Sequence, residues 1–387
     1  MLKNKINIIF FLPSFIKGGA AYSIYKLCKN LNKNYYKIYI LCLGKCELKA
    51  DLINHVDSIT ELKINRVVKS YFHLDNFVKK IYNKNKSKTI FISNHHYANI
   101  ISLLSIKKFK DLRIILTERT SIQQLKIYYG FFDFIKKFLI LNLVKLLYKK
   151  ANLVIANSKR EAKDISLICR CYAKHIYPPS FTKKYPYKNK NIYKKKYWKI
   201  LTVGSLTKEK GLDTIIMALS KFKKEKFKLN IFGKEYDKNQ NERKYLNYLI
   251  KKNNLKNKVK IHGFNKNLSK YYKDADLYIN SSHIEGFSTS IIDAINFNLP
   301  IICSDCKGGN REITLFGKGG DLFEVGNYNE LGKKISNFFN NPKILLKKSK
   351  KAKIFIKNYS EKINLKEYEK VFQKILKKSY FHNHRYS

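Results

Sequence analysis

Short apolar runs separated by longer stretches of helical periodicity, in a series that occurs twice, constrain this chain most. In the first half "KINIIFFL", "YKIYILCL", "KTIFISN", "LRIILTE" and "ANLVIANS" are bounded by polar residues. Between them, segments such as "AAYSIYKLCKNLN" repeat apolar residues at helical spacing. Short buried strands joined by helical crossovers form right-handed βαβ units and a parallel sheet. A second series follows: "ILTVGSL", "GLDTIIMALSKF", "KLNIFG", "NERKYLNYLIKKN", "VKIHGF", "DLYINSS" and "PIICSD". The expectation is an α/β chain with two Rossmann-like domains.

Between the two series lies "PPSFTKKYPYKNKNIYKKKYWK", rich in Pro, Lys and Tyr and without periodicity, which reads as a linker. At 387 residues the chain exceeds what one ordinary core needs. The expected division is a first domain over 1–178, a linker over 179–197 and a second domain over 198–360. A C-terminal helix and tail over 361–387 would pack back toward the first domain. The start, "MLKNKINIIFFLPSF", has a basic end and an apolar run, as a signal peptide does. The run is short, lacks a small-residue cleavage site and leads into a glycine turn, so a first strand is expected. No window reaches the roughly 18 apolar residues that a membrane-spanning helix needs.

Charge narrows the partners. Lys and Arg number 79 against 28 Asp and Glu, a formal net charge of +51. An AT-rich coding sequence explains part of this, since Lys, Asn, Ile, Tyr and Phe are all abundant. Attraction to anionic headgroups or phosphate-bearing substrates is a second source. Nucleic acid is not an expected partner, because zinc-finger spacing, an RNP-like aromatic signature and a helix-turn-helix pattern are all lacking. The segment Gly130–Lys150 combines a broad apolar face with Lys136, Lys137, Lys145, Lys149 and Lys150. It suits either packing on a sheet or lying at a membrane surface. The seven cysteines are scattered and odd in number, as expected of reduced thiols, and Cys303-x-x-Cys306 has no second pair at metal-ligand spacing.

Chemistry-bearing residues gather where strands end. Gly18-Gly19 follow the first strand and open a helix, where backbone N–H groups favour anions. The pattern is not G-x-G-x-x-G, so a dinucleotide fingerprint is absent. "VGSLTKEKG" puts Gly204 at a strand end and Lys210-Gly211 before a helix. "HIEGFST" repeats the arrangement with Glu285, a glycine turn and Ser288/Thr289 able to cap the next helix. Glu285 and Asp293 could be an acid pair, two halves of a ligand clamp or surface charge. His95-His96 follow the strand "TIFIS". Asp274-x-Asp276 precedes its strand rather than following it, which argues against a metal site. Walker, G-x-S-x-G and H-E-x-x-H patterns are lacking.

Taken together, "FIKGGAAYSIYKL", "ANLVIANS", "ILTVGSLTKEKGLDTIIMAL", "KLNIFG", "VKIHGF", "DLYINSSHIEGFSTSIIDAINFNLPIICSDCKGGNREI" and "GDLFEVGNYNELGKKI" resemble the retaining glycosyltransferases of family four. The likeness runs through nearly the whole chain in order and is strongest from Trp198 to Ile335. It implies the GT-B fold, with the two domains facing across a cleft, the first binding acceptor and the second the nucleotide-sugar. The family's Glu-x7-Glu motif matches Glu285 and Asp293, implying that Glu285 acts on the donor sugar while Asp293 holds the ribose. Gly286, Phe287, Ser288 and Thr289 would line sugar and diphosphate. Gly204, Ser205, Lys210 and Gly233 would bind the donor, and Gly18-Gly19 would lie near the phosphates. One of His95 or His96 would sit beside the transferred sugar. Ser205 replaces a usual arginine, and Asp293 is one methylene shorter than the usual glutamate.

The resemblance further implies a retaining, metal-independent hexosyltransferase without a cofactor. It would use a UDP-sugar and a lipid-linked oligosaccharide, lipopolysaccharide or capsule-type acceptor. The expected location is cytoplasmic and peripheral, on the anionic inner-leaflet surface. A UDP-N-acetylglucosamine 2-epimerase of the same fold and a basic nucleic-acid-binding protein are the alternatives.

Overall fold

Parallel strands with apolar residues on both faces need cover on both sides, and the helices that connect them supply most of it. A computed structural model of the chain describes residues 5–128, 130–181, 183–186, 197–235 and 239–377. Residues 187–196 of the expected linker and 378–387 of the expected tail lie outside them. The chain divides into two compact units, one of Met1–Thr182 with Tyr359–Ser387 and one of Lys183–Asn358.

The first unit holds a seven-stranded sheet of β1 (Ile6–Phe11), β2 (Tyr36–Cys42), β3 (Ser58–Glu61), β4 (Thr89–Asn94), β5 (Arg113–Glu118), β6 (Leu153–Ala156) and β7 (Ala173–His175). Its order is β3-β2-β1-β4-β5-β6-β7, with every pairing parallel. Alternation along β1 sends Ile8 and Phe10 into one core and Ile9 and Phe11 into the other. The first core is closed by α1 (Gly19–Asn30), and the second by α2 (Tyr71–Tyr82), α3 (His96–Ile106), α4 (Phe131–Leu147) and α5 (Lys159–Cys169).

The second unit holds β8 (Trp198–Val203), β9 (Phe227–Phe232), β10 (Val259–Ile261), β11 (Leu277–Asn280), β12 (Ile301–Ser304) and β13 (Asp321–Phe323). These form a six-stranded parallel sheet of order β10-β9-β8-β11-β12-β13. Its principal helices are α6 (Leu212–Leu219), α7 (Asn241–Lys252), α8 (Thr289–Asn296), α9 (Tyr328–Asn340) and α10 (Pro342–Phe355). Trp198 stacks on Phe339 of α9 at 5.1 Å and locks that helix onto the sheet.

The last helix, α11 (Glu361–Leu376), returns to the first unit and packs on α1. Tyr368, Val371, Phe372 and Ile375 fill the core there, and Phe372 meets Tyr36 edge-on at 5.9 Å. Lys26 pairs with Glu361 at 3.5 Å and donates to the Ser180 carbonyl at 2.8 Å.

In both sheets the strand order reverses beside the first strand, between β1 and β4 and between β8 and β11. Crossover helices diverge there, leaving the carboxyl ends of the flanking strands open for a ligand. The loops carrying Gly18-Gly19, His95-His96, Gly204 and Glu285 all leave such strand ends. Asp274 and Asp276 instead brace the opposite end of β8: Asp276 accepts from the Lys199 amide at 3.0 Å and Asp274 pairs with Lys199 Nζ at 2.6 Å. All seven cysteines are thiols.

Candidate active site

At the end of β8 the backbone is built for close approach. Gly204 donates to the Phe232 carbonyl at 2.9 Å, and a Cβ on Gly233 would lie 1.8 Å from the Gly204 carbonyl oxygen. Only glycine lets the two loops touch. Gly211 has φ +55, and a Cβ there would come within 2.4 Å of the Ser281 carbonyl. These contacts hold "TKEKG" against the loop after β11, and the Ser281 hydroxyl donates to the Lys210 carbonyl at 2.9 Å.

The result brings together two residues that lie far apart in sequence. Lys210 Nζ stands 2.5 Å from Glu285 Oε1, with its aliphatic stem over Gly204. The Ser282 hydroxyl donates to the same carboxylate oxygen at 2.8 Å. Behind Ser282 runs a buried polar chain. Asn280 Nδ2 donates to Ser282 Oγ at 3.3 Å, and Asn310 Nδ2 donates to Asn280 Oδ1 at 3.2 Å. Ser304 Oγ donates to the Ser282 carbonyl at 2.6 Å. Glu285 is thus held by one cation and one buried hydroxyl, an arrangement that fixes its rotamer.

Gly286, Phe287 and Ser288 connect Glu285 to α8. The Phe287 ring is buried against Gly309, where a Cβ would lie 2.4 Å from the ring edge. Ser288 occupies the N-cap position, but its hydroxyl lies 3.1 Å from Ser290 Oγ and makes no capping bond. The capping expected of this serine is therefore not made, because the neighbouring hydroxyl takes its side chain. Helix N–H groups without a side-chain cap, beginning at Thr289, are the donors that favour an anion. Asp293 sits one turn into α8, half-buried, and its charge reaches the buried phenols of Tyr272 and Tyr278. Burial foremost, then neighbouring charge, raises both phenols above the ordinary tyrosine range.

Ser205 Oγ lies 3.3 Å from Thr207 Oγ1 in a tight turn. Arg243 offers no substitute cation at position 205. Its guanidinium pairs with Glu235 at 3.0 Å and donates to the carbonyls of Ile261 and His262 at 3.5 and 3.4 Å. Lys210 is the cation placed beside Glu285.

The remaining expected residues belong to the first unit. Gly18 is the N-cap of α1 with extended backbone, and a Cβ on Gly19 would meet open space. His95 is the N-cap of α3 at φ +73. Burial pushes its imidazole down to about 4, outweighing the nearby Glu118 carboxylate. His96 opens α3, with Nδ1 3.8 Å from Glu118 Oε2. Glu118, Ser282 and the Asn280–Asn310 pair were missed by motif reasoning. Ser282 carries one local signal, its place three residues before Glu285 in a turn. Among the described residues there is no cluster of three His, Cys, Asp or Glu fit to hold a metal.

Neutral His95 has a pH consequence. An unfolded histidine titrates near 6.5, so His95 contributes stability that is complete above that pH and is lost as pH falls toward 4. NMR titration should show His95 ring resonances constant from pH 8 to about 5; a midpoint near 6.5 would refute this burial.

The family described as "Glycosyl transferases group 1" matches residues 184–378, just over half of the chain, and "Glycosyltransferase Family 4" matches residues 17–178. The chain belongs to these glycosyltransferases. A Campylobacter jejuni subsp. jejuni serotype O:2 relative is 29% identical over 266 residues, covering 68% of this chain and 70% of that protein. It is N-acetylgalactosamine-N,N'-diacetylbacillosaminyl-diphospho-undecaprenol 4-alpha-N-acetylgalactosaminyltransferase. The Bacillus subtilis (strain 168) poly(glycerol-phosphate) alpha-glucosyltransferase is 29% identical over 174 residues, 44% of this glycosyltransferase and 25% of the relative. Among solved structures, Anabaena Alr3699/HepE in complex with UDP and glucose superposes with TM-score 0.77 at 18% identity, covering 95% of this chain and 99% of that one. A Rickettsia africae ESF-5 glycosyltransferase gives 0.74 at 20% identity, covering 97% and 100%. The family and GT-B fold expected from the sequence are thereby established.

Proposed function

We propose that this glycosyltransferase moves a hexose or N-acetylhexosamine from a UDP-sugar to a lipid-linked oligosaccharide, lipopolysaccharide or capsule-type acceptor, with retention of configuration. The observation that carries the reading is the 2.5 Å Lys210–Glu285 contact beside the start of α8. A donor bound here replaces one ion pair with two contacts. Its β-phosphate meets Lys210 and the α8 N–H groups, and a sugar hydroxyl meets Glu285. The relatives' names support the donor and acceptor classes: the Campylobacter protein acts on a diphospho-undecaprenol-linked sugar, and the Anabaena structure contains UDP.

The chemistry follows from charge. The C1–O bond to the β-phosphate breaks and its electron pair leaves with UDP, while C1 becomes oxocarbenium-like. The acceptor oxygen attacks from the same face, and its proton passes to the departing phosphate oxygen. Lys210 and the helix N–H groups stabilise the developing charge, and Glu285 orients the sugar. The lysine and helix donors take the part a metal plays elsewhere, and the enzyme works in the cytoplasm at the inner membrane surface.

The test is transfer from a panel of UDP-sugars to lipid-linked acceptors, read by mass spectrometry, with and without EDTA. Expected are a glycosylated lipid product, UDP-induced thermal stabilisation and no effect of EDTA. Stabilisation by no UDP-sugar would overturn the reading, and strong EDTA inhibition would overturn its metal-free form. Asp293→Ala should weaken UDP affinity about tenfold, the worth of one or two carboxylate hydrogen bonds, with a smaller change in kcat. Calorimetric titration checks this, and unchanged UDP affinity would remove Asp293 from the ribose site.

A further inference from the structure

Arginine is rare in this chain, whose positive charge is carried mostly by lysine. A guanidinium presents a rigid fork of donors that an ammonium lacks, so arginine marks places where geometry counts. Arg243 and Arg311 face carboxylates, those of Glu235 and Asp305. Arg119 does not. It follows the last residue of β5, half-buried, and its Nε donates to Asn94 Oδ1 at 2.9 Å. Among the described residues no carboxylate pairs with it, and Nη1 and Nη2 donate to no protein group.

The anchor of this fork is stiff. Asn94 is fully buried; its Oδ1 also accepts from the Thr117 hydroxyl at 2.6 Å, and its Nδ2 donates to the Phe11 carbonyl at 3.0 Å. The Arg119 carbonyl accepts from Asn157 Nδ2 at 3.3 Å. Arg119 is thereby tied to the carboxyl ends of β1, β4 and β5, where the strand order reverses and a ligand finds room. Glu118 points to the other face of the strand and leaves the fork unneutralised. Its Oε1 accepts from Asn99 Nδ2 at 3.0 Å and from the Tyr148 hydroxyl, and its Oε2 lies nearest His96. His95, within reach of the Arg119 charge, has a backbone strained at φ +73, a feature that gathers at functional sites. Burial foremost, then the charges of His96 and Arg119, keep its imidazole neutral against the pull of Glu118.

A cationic fork held open by a buried amide suits an oxyanion that can accept two parallel bonds. We propose that Arg119 recognises the phosphate or diphosphate group of a lipid-linked acceptor through Nη1 and Nη2. The inference rests on the proposed function for its ligand and deepens it by naming the residue that selects a phosphate-bearing lipid. The donor's phosphates have other partners in that reading, Lys210 and the start of α8, both in the second unit. An acceptor without phosphate would leave the fork unpaired, which is how such a site discriminates.

The test is calorimetric titration of the full chain, saturated with UDP, with geranyl diphosphate and with geraniol. Wild type should bind the diphosphate at least about tenfold more tightly than the alcohol. Arg119→Gln should lose about 10- to 100-fold in affinity for the diphosphate and nothing for the alcohol, because two charge-assisted bonds are gone. Arg119→Lys keeps the charge without the fork and should recover part of that loss. UDP-induced thermal stabilisation, unchanged in both variants, shows that they fold. Undiminished diphosphate binding by folded Arg119→Gln would overturn the proposal, as would equal binding of geraniol and geranyl diphosphate by wild type. So would lost UDP affinity in Arg119→Gln with diphosphate binding intact, since the fork would then hold the donor. Absence of UDP binding by wild type would count against the proposed function instead, and the diphosphate titration is then read without UDP.

Discussion

Glu285→Ala lowers kcat by about 10²–10³ while leaving UDP affinity within a few-fold of wild type. The size follows from where the carboxylate sits. Lys210 at 2.5 Å and the Ser282 hydroxyl at 2.8 Å both engage Oε1 and fix the carboxylate's orientation, which in the proposed function faces the donor sugar. On the proposed function, removing it takes away the sugar contact but spares the phosphate contacts, because Lys210 and the start of α8 remain. UDP, which lacks the sugar, should bind as well as before, or better once Lys210 loses its internal partner. Glu285→Gln keeps the shape but not the charge, and should recover little of the loss. Steady-state rates with calorimetric UDP binding decide the matter. A kcat within tenfold of wild type would remove Glu285 from the reacting centre.

The second large effect lies behind that residue. Gly308 has φ +122, and a Cβ there would sit 1.5 Å from the Glu285 carbonyl oxygen. Neither the backbone angle nor the overlap can be relieved without moving the loop that carries Glu285. Gly308→Ala should cost about 3 kcal/mol or more, which for a unit the size of Lys183–Asn358 lowers its Tm by roughly 6–12 °C, and activity should fall as well. Gly204→Ala is the control, since a Cβ there meets only the flexible stem of Lys210 at 3.5–3.8 Å. Thermal unfolding of the two variants should differ by most of the predicted shift, and equal Tm values would refute the argument.

The central strands of both sheets were legible because they are apolar runs between polar ends, a signal that depends on nearest neighbours along the chain, whereas the edge strands β3, β7 and β13 are short, carry no such run and were not anticipated. The loops carrying Gly204, Lys210 and Glu285 were legible for the same reason: each follows a recognisable strand. What could not be read was contact across loops. Nothing in "SSHIEG" announces that Ser282 grips Glu285, because that bond depends on Asn280, Ser304 and Asn310 converging from two strand ends and a short helix. Ser288 looked like a cap and sits in the capping position, yet the hydroxyl two residues on claims it. In α4 both sequence patterns were present at once. The helix is apolar nearly all round, so periodicity could not say which half the sheet would take.

The way α11 closes the first core constrains how the chain comes to be folded. Its side chains fill the groove over α1, yet they are made only after the whole second unit. During synthesis the first sheet emerges with one face incomplete and must wait, with Tyr36 and its neighbours uncovered, until the last helix arrives. The two units are therefore not independent modules joined end to end. The second is one continuous stretch of chain, whereas the first is completed only by α11. A ribosome that stalls between them leaves a half-covered sheet, a substrate for chaperones rather than a free-standing domain.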